Sequence, residues 1–150
     1  MNYIKSMVTV GLIEIPDEIS LIIPVAGCGR KCPSCHTPEL QDRNNGEPFT
    51  LDILKGLLDC HMGLISCVCF FEGSRDGAIL SMCKEIKRRR LKTALYTGAN
   101  HVDDFVVSMF DYVKLGPYDE RFGGLADRHT NQRLFYHKQD ITYKFWERTE

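Results

Sequence analysis

Apolar and polar positions along this chain switch repeatedly between a strand-like and a helix-like period. Leu21 to Ala26 run apolar into Gly27 and Cys28, as a buried strand does. Thr50 stands before Leu51, Leu54, Leu57 and Leu58, which share one helix face with Thr50 as the cap. Ser66 to Phe71 form a β-rich run that closes at Gly73. Ile79, Met82, Cys83 and Ile86 then return at helical spacing, and that helix ends in Lys87, Arg88, Arg89 and Arg90. A third strand spans Lys92 to Tyr96 and closes at Thr97-Gly98. Asn100 is placed to cap a helix carrying Val102, Phe105, Val106, Met109 and Phe110. Tyr112 to Leu115 is a fourth strand, ending in Gly116-Pro117. The polar stretch Gln41 to Pro48 reads as a surface loop, and Ile141 to Trp146 as a last strand.

This β-α-β-α order predicts an α/β fold with a parallel sheet and right-handed crossovers. Ligand chemistry in such folds sits at the carboxyl ends of the strands, so the loops after the four strands should share one rim. At 150 residues the chain reads as one domain, 1–150. A closed eightfold (βα) barrel needs roughly 200 residues or more, so an incomplete barrel, open at one side, is expected. A lateral mouth of that kind admits a polypeptide loop.

Composition narrows the field by exclusion. Net charge near −1 gives no electrostatic reason to expect nucleic acid or an anionic membrane surface as partner. No apolar run approaches a membrane span. Seven cysteines is an odd count, and Met1 to Ser20 lacks the basic start and apolar core of a secretory leader. Reduced thiols and a cytoplasmic location are therefore expected.

The candidate chemistry lies in Gly27-Cys28-Gly29-Arg30-Lys31-Cys32-Pro33-Ser34-Cys35-His36. Cys28, Cys32 and Cys35 put three thiolates on one tight turn. A structural zinc site takes four protein ligands, and most electron-transfer iron–sulfur clusters are held by four cysteines. Three ligands leave one iron of a [4Fe–4S] cluster open to bind a small molecule. The alternative is a Cys3His zinc site completed by His36, although adjacent ligands reach one tetrahedral centre poorly. Cys67, Cys69 and Cys83 fall on apolar faces and read as buried thiols. His61, His101, His129 and His137 lack ligand spacing.

The Cys-x3-Cys-x2-Cys spacing after a first strand resembles the radical S-adenosylmethionine (SAM) superfamily. Cys35-His36-Thr37-Pro38-Glu39 is similar to the Cys-His-Asn-Pro-Glu of enzymes that activate glycyl-radical proteins. Leu95-Tyr96-Thr97-Gly98, Asp111 to Tyr118 (through Lys114-Leu115-Gly116-Pro117) and Asn131-Gln132-Arg133-Leu134 resemble one branch of them. That branch activates the anaerobic (class III) ribonucleoside-triphosphate reductase, and the resemblance spans roughly residues 20 to 136. It implies an incomplete barrel of the radical SAM type, with a [4Fe–4S] cluster on Cys28, Cys32 and Cys35. It further implies SAM held near Gly73, Ser74, Thr97, Gly98 and His36, and an electron donor of the flavodoxin type. The implied reaction is reductive cleavage of SAM to a 5′-deoxyadenosyl radical, which takes a hydrogen atom from a glycine of the reductase.

Two departures stand out. Ser34 precedes the third cysteine where an aromatic residue is frequent, and Phe71-Glu72-Gly73-Ser74 replaces the family's Gly-Gly-Glu or Gly-Gly-Asp. Gly73 matches the second glycine, and Ser74 stands where the acid should be. Glu72 comes two positions early and, in the register of the resemblance, should point elsewhere; Asp76 comes two positions late, in the following loop. Three readings stay open: the reductase activase, an activase of another glycyl-radical enzyme, and a non-catalytic zinc or iron–sulfur interaction module.

Overall fold

The computed structural model describes residues 1–30, 32–73 and 76–147. In chain order its elements are β1 (Asn2–Tyr3), β2 (Thr9–Gly11), β3 (Ser20–Ala26), β4 (Glu47–Pro48), α1 (Leu51–His61), β5 (Cys67–Phe71), α2 (Ile79–Arg88), β6 (Lys92–Tyr96), α3 (Asp104–Met109), β7 (Tyr112–Leu115), β8 (Arg133–Tyr136), β9 (Gln139–Asp140) and α4 (Lys144–Glu147). Parallel pairing joins β3 to β5, β5 to β6 and β6 to β7, the four strands expected from the apolar runs. Antiparallel strands border this core. β1 and β2 lie along β3, β4 pairs with β1, and the β8–β9 hairpin follows β7. The sheet runs from β4 to β9, and among the described residues it does not close on itself.

Alternation along the strands sorts the core into two layers. Leu21, Ile23, Val25, Val68, Phe70, Leu95 and Val113 face α1 and α2, meeting Leu54, Leu58, Ile79, Met82 and Ile86. Ile22, Cys67, Cys69, Ala94 and Tyr112 face the other way and pack with Ile15, Leu134, Ile141 and Phe145. Helix α1 starts as its sequence dictates, with the Ile53 N–H donating to Thr50 Oγ1 at 3.2 Å. The basic end of α2 is engaged with its own helix: Arg88 and Arg89 bind Glu85 at 2.7 and 3.0 Å.

Three expectations are corrected. The stretch 41–48 lies at the surface as expected, but it carries the last residue of one 3-10 turn (Pro38–Gln41), a second turn (Arg43–Asn45) and β4 instead of an irregular loop. The helix assigned to Asn100 starts later, at Asp104 with Asp103 as cap, and Phe105 is 66% exposed. The Gly116 N–H donates to Ala99 O at 2.8 Å, so the chain leaving β6 is tied beside β7 before any helix can begin. The tail forms α4 instead of a strand. Asp140 accepts from the Thr142 N–H and hydroxyl, and Thr142 Oγ1 accepts from the Leu134 N–H, which turns the chain out of the sheet. Among the described residues no helix is long and apolar enough to cross a membrane.

Candidate functional site

The cysteine loop leaves the carboxyl end of β3. Gly27 makes the exit with φ +101°, where a Cβ would sit 3.3 Å from Arg43 Cβ. The N–H groups of Gly27 and Cys28 both donate to Leu40 O, at 2.7 and 2.8 Å, which fastens the loop to the turn behind it. The Cys35 N–H reaches back to Cys32 O at 3.3 Å. Ser34 takes a left-handed backbone, φ +56°, and its hydroxyl donates to Glu120 at 2.8 Å. The ring of His36 lies 4.0 Å from that of Tyr118. The departure at Ser34 thus has a local role: it ties the loop to the segment after β7.

Cys28, Cys32 and Cys35 are free, half-buried thiols that line one cavity of about 740 Å³. His36, Thr97 and Gly98 line it too, so the structure gathers six of the eight residues predicted for the site. Gly73 lines a smaller neighbouring cavity of about 290 Å³, joined to the first through Cys28, Arg30 and Glu72, which line both. At φ +92° Gly73 lies where a Cβ would press on Val25 and Ile79, at 3.3 and 3.4 Å, so glycine suits both the turn and the packing at this position. Ser74 lies outside the described residues.

Glu72 corrects the reading of its direction. β5 ends at Phe71, and Glu72 adopts φ +69°, which breaks the strand alternation that would have turned it toward the helices. Its N–H donates to Tyr96 O, and its carboxylate accepts from the Gly98 N–H at 2.7 Å and the Thr97 hydroxyl at 3.2 Å. A carboxylate therefore faces the cavity after all, two positions from where the resemblance puts one. Asp76 is occupied elsewhere, accepting from the Ala78 N–H and facing the amino group of Met1.

Lys114, Arg30, Phe71 and Tyr96 also line the cavity and were not singled out as site residues from sequence. The signal for Lys114 was present: Val113 faces the helix-side core, so a cation one position later must face the other surface. Burial holds the Lys114 ammonium down at about 8, partly offset by the Glu72 carboxylate. The rings of Phe71 and Tyr96 stack in parallel, 4.9 Å apart, and the Tyr96 hydroxyl donates to Glu14 O at the far wall. Arg30 crosses over Gly98, where a Cβ would lie 2.8 Å from Arg30 Cδ, and its Nε is buried without a hydrogen-bond partner. Burial also pushes the Cys28 thiol above its ordinary range.

The remaining cysteines are set apart. Cys67 and Cys69 sit in the sheet and Cys83 in α2, all buried, with burial pushing Cys67 and Cys83 up to about 12 and Cys69 upward as well. Among the described residues no three Cys, His, Asp or Glu side chains converge on one metal-ion position. The three loop thiols share a cavity rather than a point. A [4Fe–4S] cluster takes each thiolate on a different iron, so this donor set suits it: three soft thiolates lining one cavity, with polar groups on the same lining. No protein-family model matches the chain, and no curated protein matches it.

Proposed function

We propose that this protein is an iron–sulfur, SAM-dependent activating enzyme that installs a glycyl radical on an anaerobic ribonucleoside-triphosphate reductase. The observation that carries the reading is the shared cavity. Cys28, Cys32 and Cys35 open onto the same space as Thr97, Gly98 and Glu72, at the carboxyl ends of parallel strands. In this reading the barrel is of the radical SAM type, left incomplete, and the unclosed sheet leaves a flank through which a partner's loop reaches the cavity.

Cys28, Cys32 and Cys35 would hold a [4Fe–4S] cluster, which when bound supplies the electron that cleaves SAM and so generates the hydrogen-abstracting 5′-deoxyadenosyl group. The chain's own residues do the positioning. Glu72 is the acid that meets the ligand's ammonium, in place of the acid missing at Ser74. Gly98 and Thr97 orient that carboxylate through the two hydrogen bonds already formed. His36 closes the cavity wall against Tyr118. The stacked Phe71 and Tyr96 rings give the cavity an apolar wall that excludes water from a reactive intermediate. The reducing partner is an electron-transfer protein of the flavodoxin type, and no nucleic acid or membrane takes part.

The test mixes reduced, cluster-loaded protein, SAM and the cognate reductase without oxygen. Formation of 5′-deoxyadenosine together with a glycyl-radical EPR doublet is expected. Cleavage without the doublet would assign another substrate, and neither product from a cluster-intact protein would remove the catalytic reading.

A further inference from the structure

The cysteine loop is held unevenly along its length. Its first part is fixed by main-chain bonds, since the Gly27 and Cys28 N–H groups both donate to Leu40 O. From Cys32 to His36 the one backbone bond among the described residues is internal, Cys35 N–H to Cys32 O at 3.3 Å. Two of the three thiols therefore sit on a stretch with no main-chain tie to the sheet or the helices. Side chains fasten it instead. The Ser34 hydroxyl donates to Glu120 Oε2 at 2.8 Å, and the His36 ring packs on Tyr118. Glu120 stands in a turn that is itself well closed. The Phe122 and Gly123 N–H groups donate to Asp119 O at 3.0 and 2.9 Å, and Arg121 pairs with Asp119 at 2.6 Å. Asn131 Nδ2 donates to Pro117 O at 3.0 Å, joining the turn to the chain that enters β8. Ser34 stands at φ +56°, a backbone that glycine adopts freely and serine seldom does. Serine brings to that position a hydroxyl, used in a hydrogen bond that the carboxylate's charge strengthens.

We propose that Glu120 is a positioning residue that acts through Ser34 to hold Cys32 and Cys35 in the loop conformation that retains a cluster, while Cys28 keeps its place without it. The consequence for a cluster rests on the reading given above, but the restraint itself belongs to the metal-free chain. Three thiolates that each take a different iron must keep a fixed spread, and a stretch free to swing would let two of them go. Partners that orient metal ligands from outside typically change metal affinity by about tenfold to hundredfold. Ser34 and Glu120 lie 86 residues apart, so nothing local in the sequence announces the pair.

The experiment measures how fast the anaerobically reconstituted full chain releases iron to a chelator. It compares the wild type with Glu120→Ala, Ser34→Ala, the double variant, and Glu120→Gln, whose amide oxygen still accepts from the Ser34 hydroxyl. Both partners are exposed, so the lower end of that range is expected, about tenfold faster release in each alanine variant. The double variant should be no faster than either single one, and Glu120→Gln should stay near wild type. A second arm needs no metal: the reduced, metal-free chains are labelled with a thiol reagent and read by mass after trypsin. Trypsin cuts after Arg30 and Lys31 and so separates Cys28 from Cys32 and Cys35. Cys32 and Cys35 should label faster in the alanine variants, and Cys28 at the wild-type rate. If alanine at position 34 disturbs folding, Ser34→Gly removes the hydroxyl in a backbone that suits glycine and is read in the same way. A merely structural Glu120 would speed the labelling of all three cysteines alike or of none. That pattern, release rates within about twofold of wild type, or effects that add in the double variant, would overturn the proposal. A wild-type chain that retains no iron would remove the cluster reading, and the labelling arm alone would then decide the role of Glu120.

Discussion

Replacing Lys114 by Met should reveal the energetic strain of the buried ammonium as a pH-dependent difference in stability. The folded protein holds this group at about 8 against an ordinary value of 10.5, chiefly through burial, with Glu72, Cys32 and Cys69 opposing that shift and Arg30 adding to it. That gap corresponds to about 3 kcal/mol. Below about pH 8 the amine is protonated in both folded and unfolded chains, and the folded state bears the full penalty. Between about pH 8 and 10.5 the unfolded chain still holds the proton and the folded chain has shed it, so stability rises with pH. The buried thiols Cys67, Cys69 and Cys83 act oppositely in alkali, since each is held protonated in the fold and ionises on unfolding. Both proteins share that trend, so it cancels in the difference. Urea unfolding of the metal-free, reduced chains at a series of pH values gives the comparison. Wild-type stability should gain about 2–3 kcal/mol on Lys114→Met between about pH 7 and pH 10. A difference that stays within about 0.5 kcal/mol, or falls with pH, would refute the claim that Lys114 is buried as a destabilised cation.

Other substitutions test the neighbouring parts. Glu72→Gln keeps the shape but removes the charge, and should weaken SAM binding by roughly tenfold to hundredfold with iron content unchanged; calorimetry and iron analysis decide it. Gly98→Ala brings a Cβ to 2.8 Å from Arg30 Cδ, so Arg30 must leave its place over the strand end. SAM affinity should fall while the unfolding midpoint moves little, because the clash is with a flexible side chain. Thr50→Ala removes the cap of α1 and should cost about 1 kcal/mol in urea unfolding, with no effect on ligand binding.

Much of this fold is written plainly in the chain, and what is hidden has physical causes. The four parallel strands were legible because each is an apolar run closed by Gly or Thr-Gly, and α1 and α2 because their apolar residues return at helical spacing. The antiparallel borders were not: β1, β2, β4 and β9 have two or three residues each, too few for a period to show. The tail misled because Ile141, Tyr143 and Phe145 alternate like a strand, while the Asp140 and Thr142 side chains turn the backbone away. In the site, the cysteine spacing announced the loop directly. The direction of Glu72 could not be read, because one residue at positive φ reverses what alternation predicts. Lys114 was visible as a cation among apolar strand residues, yet its place in the cavity depends on β6 and β7 bringing Thr97 and Gly116 to its side.

The most direct test of the central claim is iron and sulfide analysis of the anaerobically reconstituted protein, read with the EPR spectrum of its reduced form before and after SAM. A three-cysteine site of this kind should retain about four irons and four sulfides per chain, with a spectrum that changes when SAM reaches the open iron. Cys28→Ala, Cys32→Ala or Cys35→Ala should abolish that retention, and Cys60→Ala, on the exposed side of α1, should not. Stoichiometric zinc with no iron retained, or a reduced-cluster spectrum indifferent to SAM, would contradict the account.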